Sequence, residues 1–327
     1  MEPLIVEVVR GETVESRHCV HAVAVRDGEI IHAAGEPELV TFLRSSAKPI
    51  QALPLARAYP NLVAGQLAIA SASHWALPEQ LAAVDALLAV SGSTEDDLEC
   101  GAEGTPPSRL RHNCSGKHAG MLAVCRAHGW PAEGYRLPDH PLQQLLLAEV
   151  AAVAGVAAAD IPTATDGCGV VTFAFSLERM AGAFSRVRER DGGERVAAAM
   201  LARPALIAGP GATDTVLMET ADGWIAKGGA EGLMCAAGPD GTGVALKVED
   251  GRDRARGPAL AAFLGGLENT PDLPQLAVRK VDNSRGEEVG SIRIASGAAK
   301  SALKSPNKVF TFCGSGSTIP HCEGEPD

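Results

Sequence analysis

The stretch Arg44-Ser45-Ser46-Ala47-Lys48-Pro49 places a hydroxyl and an amine three residues apart, at Ser45 and Lys48. If a helix starts here, three residues is nearly one turn, and the two side chains share a face. A serine hydroxyl is a poor nucleophile until a base takes its proton. A lysine can be that base where burial or neighbouring positive charge lowers its pKa. The same spacing also suits a capped helix start with a solvated lysine, so the tetrapeptide alone decides nothing.

Before this stretch the pattern is that of strands. Residues 4–9 read as a strand, and Cys19–Val25 and Glu29–Ala33 flank the hairpin signal Arg26-Asp27-Gly28, so an N-terminal antiparallel meander is expected. After it, helices dominate. A helix runs to Ala58 with a kink or end at Pro54, and Leu67–Ala70 leads into Ser71-Ala72-Ser73-His74. Helical spacing then marks Pro78–Val90, Met121–His128 and His140–Ala154, the second ended by Gly129, and the segments Thr172–Ala181 and Glu194–Arg203 also read as helices. Residues 91–112 read as loop, and 208–214 as a Gly-rich loop without the G-K-[ST] of a phosphate loop. Strands return at Trp224–Lys227, Gly232–Ala237 and Val244–Val248, followed by a helix over Arg256–Leu267 and a last strand at Val289–Ile294.

This order predicts an α/β (α+β) fold: an antiparallel or mixed sheet in which the two ends of the chain meet, flanked by helices and carrying a helical subdomain over about 45–210. It is not the regular alternation of a doubly wound fold. Residues 1–295 read as the domain, and 296–327, rich in Ser, Gly, Lys and Pro, as a poorly ordered tail.

The composition bounds the function. The chain of 327 residues is 46% hydrophobic and 21% charged, which suits a globular enzyme. A formal net charge of -11 without a basic stripe argues against nucleic acid or an anionic membrane as partner, and leaves room for a small zwitterionic substrate. No apolar run is long enough for a transmembrane helix, and the acidic start lacks a signal-peptide pattern, so a cytoplasmic location is expected. The eight cysteines are then thiols or metal ligands rather than a disulfide framework.

Two Gly-flanked loops carry the remaining chemistry. Cys114 and Lys117 stand at a loop-to-helix junction in His112-Asn113-Cys114-Ser115-Gly116-Lys117-His118, and Cys168 lies in Thr165-Asp166-Gly167-Cys168-Gly169. Two thiolates and a third donor can hold zinc and leave a position open, and a neutral lysine can be that donor beside the metal. Inert buried thiols or one disulfide are the alternatives. His74, His112 and His118 are each either hydrogen-bonded structural residues or participants in chemistry. Asp166 is a turn residue, or a partner for a substrate ammonium or a neighbouring lysine.

Ser45-Ser46-Ala47-Lys48-Pro49, Asn113-Cys114-Ser115-Gly116-Lys117-His118, Thr165-Asp166-Gly167-Cys168-Gly169 and Ala226-Lys227-Gly228-Gly229-Ala230-Glu231-Gly232 together resemble the rhizobial-type L-asparaginase (asparaginase II) family, in order, from about 5 to 295. The resemblance implies hydrolysis of L-asparagine to L-aspartate and ammonia, a fold similar to serine β-lactamases and glutaminases, a homodimer, and two Ser–Lys tandems beside a zinc ion. Carried onto this chain, the tandems are Ser45 with Lys48 and Ser73 with Lys227, and the zinc ligands Cys114, Lys117 and Cys168. Arg44, His74 and Asp166 are expected to bind substrate. The chain departs from the family at Trp75-Ala76-Leu77, where small residues and an acid are usual. A glutaminase remains open, as does a β-lactamase-like hydrolase, for which S-x-x-K followed by a Lys-Gly strand is the signature. A zinc-dependent amino-acid binding protein is the reading outside enzymes.

Overall fold

The computed structural model describes residues 1–295, so the expected tail lies outside the described residues. The strands are β1 (Leu4–Arg10), β2 (Thr13–Arg26), β3 (Glu29–Ala34), β4 (Val40–Phe42), β5 (Thr163–Thr165), β6 (Val171–Ser176), β7 (Ile225–Gly228), β8 (Leu233–Ala237), β9 (Gly243–Val248), β10 (Val278–Asp282) and β11 (Glu288–Ile294). An eight-stranded sheet runs β10-β11-β1-β2-β9-β8-β7, with β3 paired to β2, and its ladders are antiparallel. The two ends of the chain do meet: β1 lies between β2 and β11, with Val6 opposite His18 on one side and Ile294 on the other. A small second sheet runs β4-β6-β5.

The helices are α1 (Lys48–Gln51), α2 (Leu53–Ala58), α3 (Ala64–Ala70), α4 (Pro78–Ser91), α5 (Ser115–His128), α6 (Pro141–Ala154), α7 (Leu177–Arg186), α8 (Gly193–Ala202), α9 (Pro204–Ile207), α10 (Thr213–Thr220), α11 (Arg256–Leu264) and α12 (Pro274–Ala277). The main sheet is covered on both faces, because strand side chains alternate. Val23 and Val25 of β2, with Leu233 and Cys235 of β8, join the core shared with α7 and the helical part. Ala22 and Ala24, with Met234 and Ala236, face the second core under α11. Among the described residues, no helix is long and apolar enough to cross a membrane.

The sequence expectation differs from the structure in informative places. Thr172–Ala181 was expected to be helical, but Val171-Thr172-Phe173-Ala174-Phe175 is strand β6, as β-branched and aromatic residues favour. The helix begins only after Ser176, whose hydroxyl caps it by accepting the Arg179 N–H. Helix α5 opens at Ser115 rather than Met121, so Lys117 and His118 stand on its first turn. Gly116 sits where α5 crosses α3: a Cβ there would lie 2.2 Å from the Ile69 carbonyl oxygen.

Candidate active site

Arg44–Ala47 forms a 3-10 turn that runs into α1, with Pro49 in the first helical turn. Backbone N–H groups anchor the turn to β6, Leu43 donating to Phe173 O and Arg44 to Thr172 Oγ1. The Ser46 hydroxyl donates to Lys227 O at 2.8 Å, tying the turn to β7. Gly229 is small for the same reason, since a Cβ there would lie 3.0 Å from Leu43 O. The S-x-x-K turn and the Lys227-Gly228-Gly229 strand end therefore meet directly, through a bond between residues 181 apart in sequence.

Lys48 is fully buried, and its Nζ donates to Ala72 O at 2.5 Å and to Ser73 Oγ at 3.0 Å. Ser45 is half-buried, and its hydroxyl makes no hydrogen bond to another described residue. Lys227 is also buried, and its Nζ reaches the Gly228 carbonyl at 2.6 Å and Asp214 Oδ2 at 3.5 Å. The lysine on Ser73 is thus Lys48 and not Lys227. A buried amine goes to the acceptors within reach, which for Lys48 are the turn after α3 and for Lys227 its neighbouring Gly228 carbonyl and the carboxylate of α10. Burial pushes the Lys227 amine down to about 8, against the opposing pull of Asp214 and with help from the Lys48 and Arg256 charges.

His74 has both ring nitrogens committed. Ser115 Oγ donates to Leu110 O, so at 2.8 Å it accepts the His74 Nε2 proton, while Nδ1 accepts the Ala76 N–H at 3.1 Å. Burial, then the Lys48 charge, lowers its pKa to about 4, which matches this neutral tautomer. His74 therefore ties the segment after Ser73 to Asn113 and Ser115 at the start of α5 and offers no nitrogen to a ligand. Trp75 and Leu77 donate their N–H groups to Gln80 Oε1, and Gln80 Nε2 donates to Ala205 O and Ala208 O. The departing segment is held in a defined shape, with Ala76 at φ 57 and the exposed Trp75 ring packed over Gly209.

Cys114, Lys117 and Cys168 converge in the adjoining interior, each at most 4% exposed. Lys117 Nζ lies 3.0 Å from Cys168 Sγ. The Cys168 thiol hydrogen-bonds Cys114 and lowers its pKa well below the ordinary value, with Lys48 and Lys117 adding to the effect against burial. Burial would lower the Lys117 amine, but the two sulfurs and Asp166 outweigh it and hold it charged. Two thiols and an amine in mutual contact and screened from water are a donor set suited to a soft, tetrahedral ion. Cys19, His21 and Glu249 also gather, with ligand atoms within 4.8 Å. There, however, His21 Nδ1 accepts the Glu36 N–H, so the Nε2 turned to the cluster carries a proton instead of a free lone pair.

Asp166 is bound by its neighbours: Oδ1 accepts Arg44 Nε at 2.6 Å and the Gly167 N–H at 2.8 Å. The turn closes through Gly169 at φ 89. Arg44 keeps both Nη groups without a hydrogen-bond partner among the described residues, and the side chain is 27% exposed. Sequence reasoning missed Asp214, Gln80 and Ser115. Each is an ordinary polar residue within or near a motif, and only the fold shows which group it holds.

The L-asparaginase II family profile matches residues 6–294. The chain belongs to the asparaginase II family, and the match over most of its length makes it an L-asparaginase, an amidohydrolase with a small-molecule substrate. No curated protein matches it.

Proposed function

We propose that the protein converts L-asparagine to L-aspartate and ammonia through a serine ester, with Ser45 as nucleophile and Lys48 as base. The observation that carries this reading is Lys48: a fully buried amine, three residues after a half-buried hydroxyl without a protein partner, and hydrogen-bonded to a second serine. The antiparallel sheet with its helical part fits a serine β-lactamase-like arrangement, and a homodimer remains the expected assembly.

The chemistry runs as an acyl transfer. Ser45 Oγ attacks the side-chain amide carbon while its proton passes to Lys48, which must then be the free amine. The tetrahedral intermediate collapses as a proton moves from Lys48 through the Ser73 hydroxyl to the amide nitrogen. The C–N bond breaks, ammonia leaves, and aspartate remains as an ester on Ser45. Water then cleaves the ester by the reverse proton path. Arg44, positioned by Asp166, offers its free Nη fork to the substrate carboxylate. Lys227 supplies positive charge near the developing oxyanion. His74 holds the segment after Ser73 in place.

Cys114, Lys117 and Cys168 fit a zinc ion through their donor chemistry and burial. Bound there, zinc supplies rigidity and positive potential beside the pocket. Lys117 and both cysteines give up their protons to hold it.

The test is trapping of the acyl-enzyme. Acid-quenched protein with L-asparagine should carry one aspartyl group on the peptide containing Ser45, and Ser45→Ala should abolish both label and ammonia release. A label on Ser73 would reverse the two serines. Turnover by Ser45→Ala at the wild-type rate would refute the mechanism.

A further inference from the structure

We infer that Asp214 is a positioning residue for this chemistry: it anchors the Lys227 ammonium inside the core and governs when that lysine gives up its proton. This rests on the amidohydrolase reading for its kinetic consequence, though not for its structural one.

Asp214 stands on the first turn of α10, next to the Gly-rich loop, and is 3% exposed. Its Oδ2 accepts the Gly228 N–H at 2.7 Å and lies 3.5 Å from Lys227 Nζ. Lys227 and Gly228 are consecutive on β7, so one carboxylate oxygen grips both the backbone and the side chain of the strand end that meets the Ser45 turn. The approach is close enough to require a glycine, since a Cβ at Gly228 would lie 3.2 Å from that oxygen and 2.4 Å from Arg256 Nη1.

Charge shows what the grip does. The groups that face Lys227 are Asp214 from α10, Arg256 from α11, Lys48 from α1 and the cross-strand thiol Cys235 from β8. Arg256 is spent on Gly229 O and Leu233 O, and both it and Lys48 repel a second cation. Burial pushes Cys235 up to about 12, so it stays a neutral thiol. Asp214 is therefore the one negative group in this set, with Lys227 and Arg256 acting on it. Burial would raise its own pKa, but Lys227, Arg256 and the Gly228 N–H overcome this and keep it ionised. Without it Lys227 would face only burial and like charge, both of which favour the neutral amine.

The experiment replaces the charge and keeps the shape. In Asp214→Asn the limb of the kcat/KM–pH profile that reports Lys227 should move to lower pH by about one unit or more, the usual effect of removing an adjacent opposite charge. The direction is the same whether Lys227 works charged or neutral, and a merely structural role would lower activity without moving the limb. A second readout needs no turnover. With lysine labelled at Cε, the Lys227 resonance, assigned by its loss in Lys227→Arg, should titrate at lower pH in Asp214→Asn than in wild type. If Asp214→Asn does not fold, wild-type protein still answers: the Asp214 Cγ and Lys227 Cε signals should respond at a shared midpoint. A Lys227 midpoint that is unchanged in Asp214→Asn, or independent of Asp214 in wild type, overturns the inference. Absent amidase activity in wild type would sink the substrate reading and leave the lysine titration to judge Asp214.

Discussion

Gly116→Ala should inactivate the enzyme without touching a reacting group. The added methyl would sit 2.2 Å from Ile69 O, where ordinary contact begins at 3.4 Å, so α5 and α3 must part by about 1 Å. That carbonyl also accepts the Ala72 N–H, forming the turn that presents Ala72 O and Ser73 Oγ to Lys48. Displacing it moves both acceptors of the lysine. Overpacking of this kind costs about 1–3 kcal/mol, or roughly 2–6 °C in a thermal melt of a chain this long. A misplacement of about 1 Å at reacting groups can cost on the order of 100-fold in rate. The expected variant is folded by circular dichroism, melts a few degrees early, and loses about 10- to 100-fold in kcat/KM for asparagine. Wild-type melting together with wild-type kcat/KM would show that the α3–α5 crossing does not position Ser73.

Other perturbations follow from the same geometry. Arg44→Met should raise KM for L-asparagine by on the order of 10-fold or more, through loss of a charge-assisted fork, with kcat less affected; an unchanged KM would place the substrate carboxylate elsewhere. Elemental analysis should find the proposed one zinc per chain in wild type and in Cys19→Ser, and none in Cys114→Ser or Cys168→Ser; zinc retained in those two would remove the proposed site. His74 makes stability acid-sensitive. Its folded pKa, lowered to about 4 from 6.5, lets the unfolded chain bind a proton that the native state refuses. The contribution is complete above pH 6.5 and is lost as pH falls toward 4, amounting at full extent to about 3 kcal/mol. Urea midpoints should fall over that window, and the fall should be smaller in His74→Asn.

The parts of the molecule that were legible in the sequence are those specified locally. The Arg26-Asp27-Gly28 hairpin, the Gly-ended helices α4 and α5 and the apolar strands β7 to β9 carry their own turn and capping chemistry. Val171–Ser176 was misread, because its mostly apolar run fits helix and strand periodicity alike; its β-branched and aromatic residues and its pairing with β4 and β5 decide for strand. The site divides in the same way. The motif residues identified themselves by type, yet spacing put Lys48 on Ser45 and the family resemblance put Lys227 on Ser73, whereas the lysine on Ser73 is Lys48. The contact depends on where α3 ends relative to α1, a tertiary fact. Asp166 was expected to hold a turn, or to meet substrate or a lysine; it does hold the turn, and it is Arg44, distant in sequence, that takes its carboxylate.

Lys48 allows a sharper test, because its structural and catalytic roles carry opposite signs. Its ammonium is fully buried with no carboxylate at ion-pair distance among the described residues. Two hydrogen bonds, to Ala72 O and Ser73 Oγ, are its direct compensation, worth about 3–6 kcal/mol together for a charged donor. Desolvating an unpaired ammonium costs several kcal/mol even after relaxation. Methionine has nearly the same length and no charge, so Lys48→Met removes the desolvation cost and the hydrogen bonds together, an exchange of buried charge for apolar volume that is commonly neutral to stabilising. The variant should melt above wild type by a few degrees, corresponding to about 1–3 kcal/mol, while ammonia release disappears. If Lys48 were a structural anchor, the melt would fall along with activity, and that result would remove the argument for a buried base at this position. A rise in melting temperature with loss of turnover is what a strained, functional charge leaves behind when it is deleted.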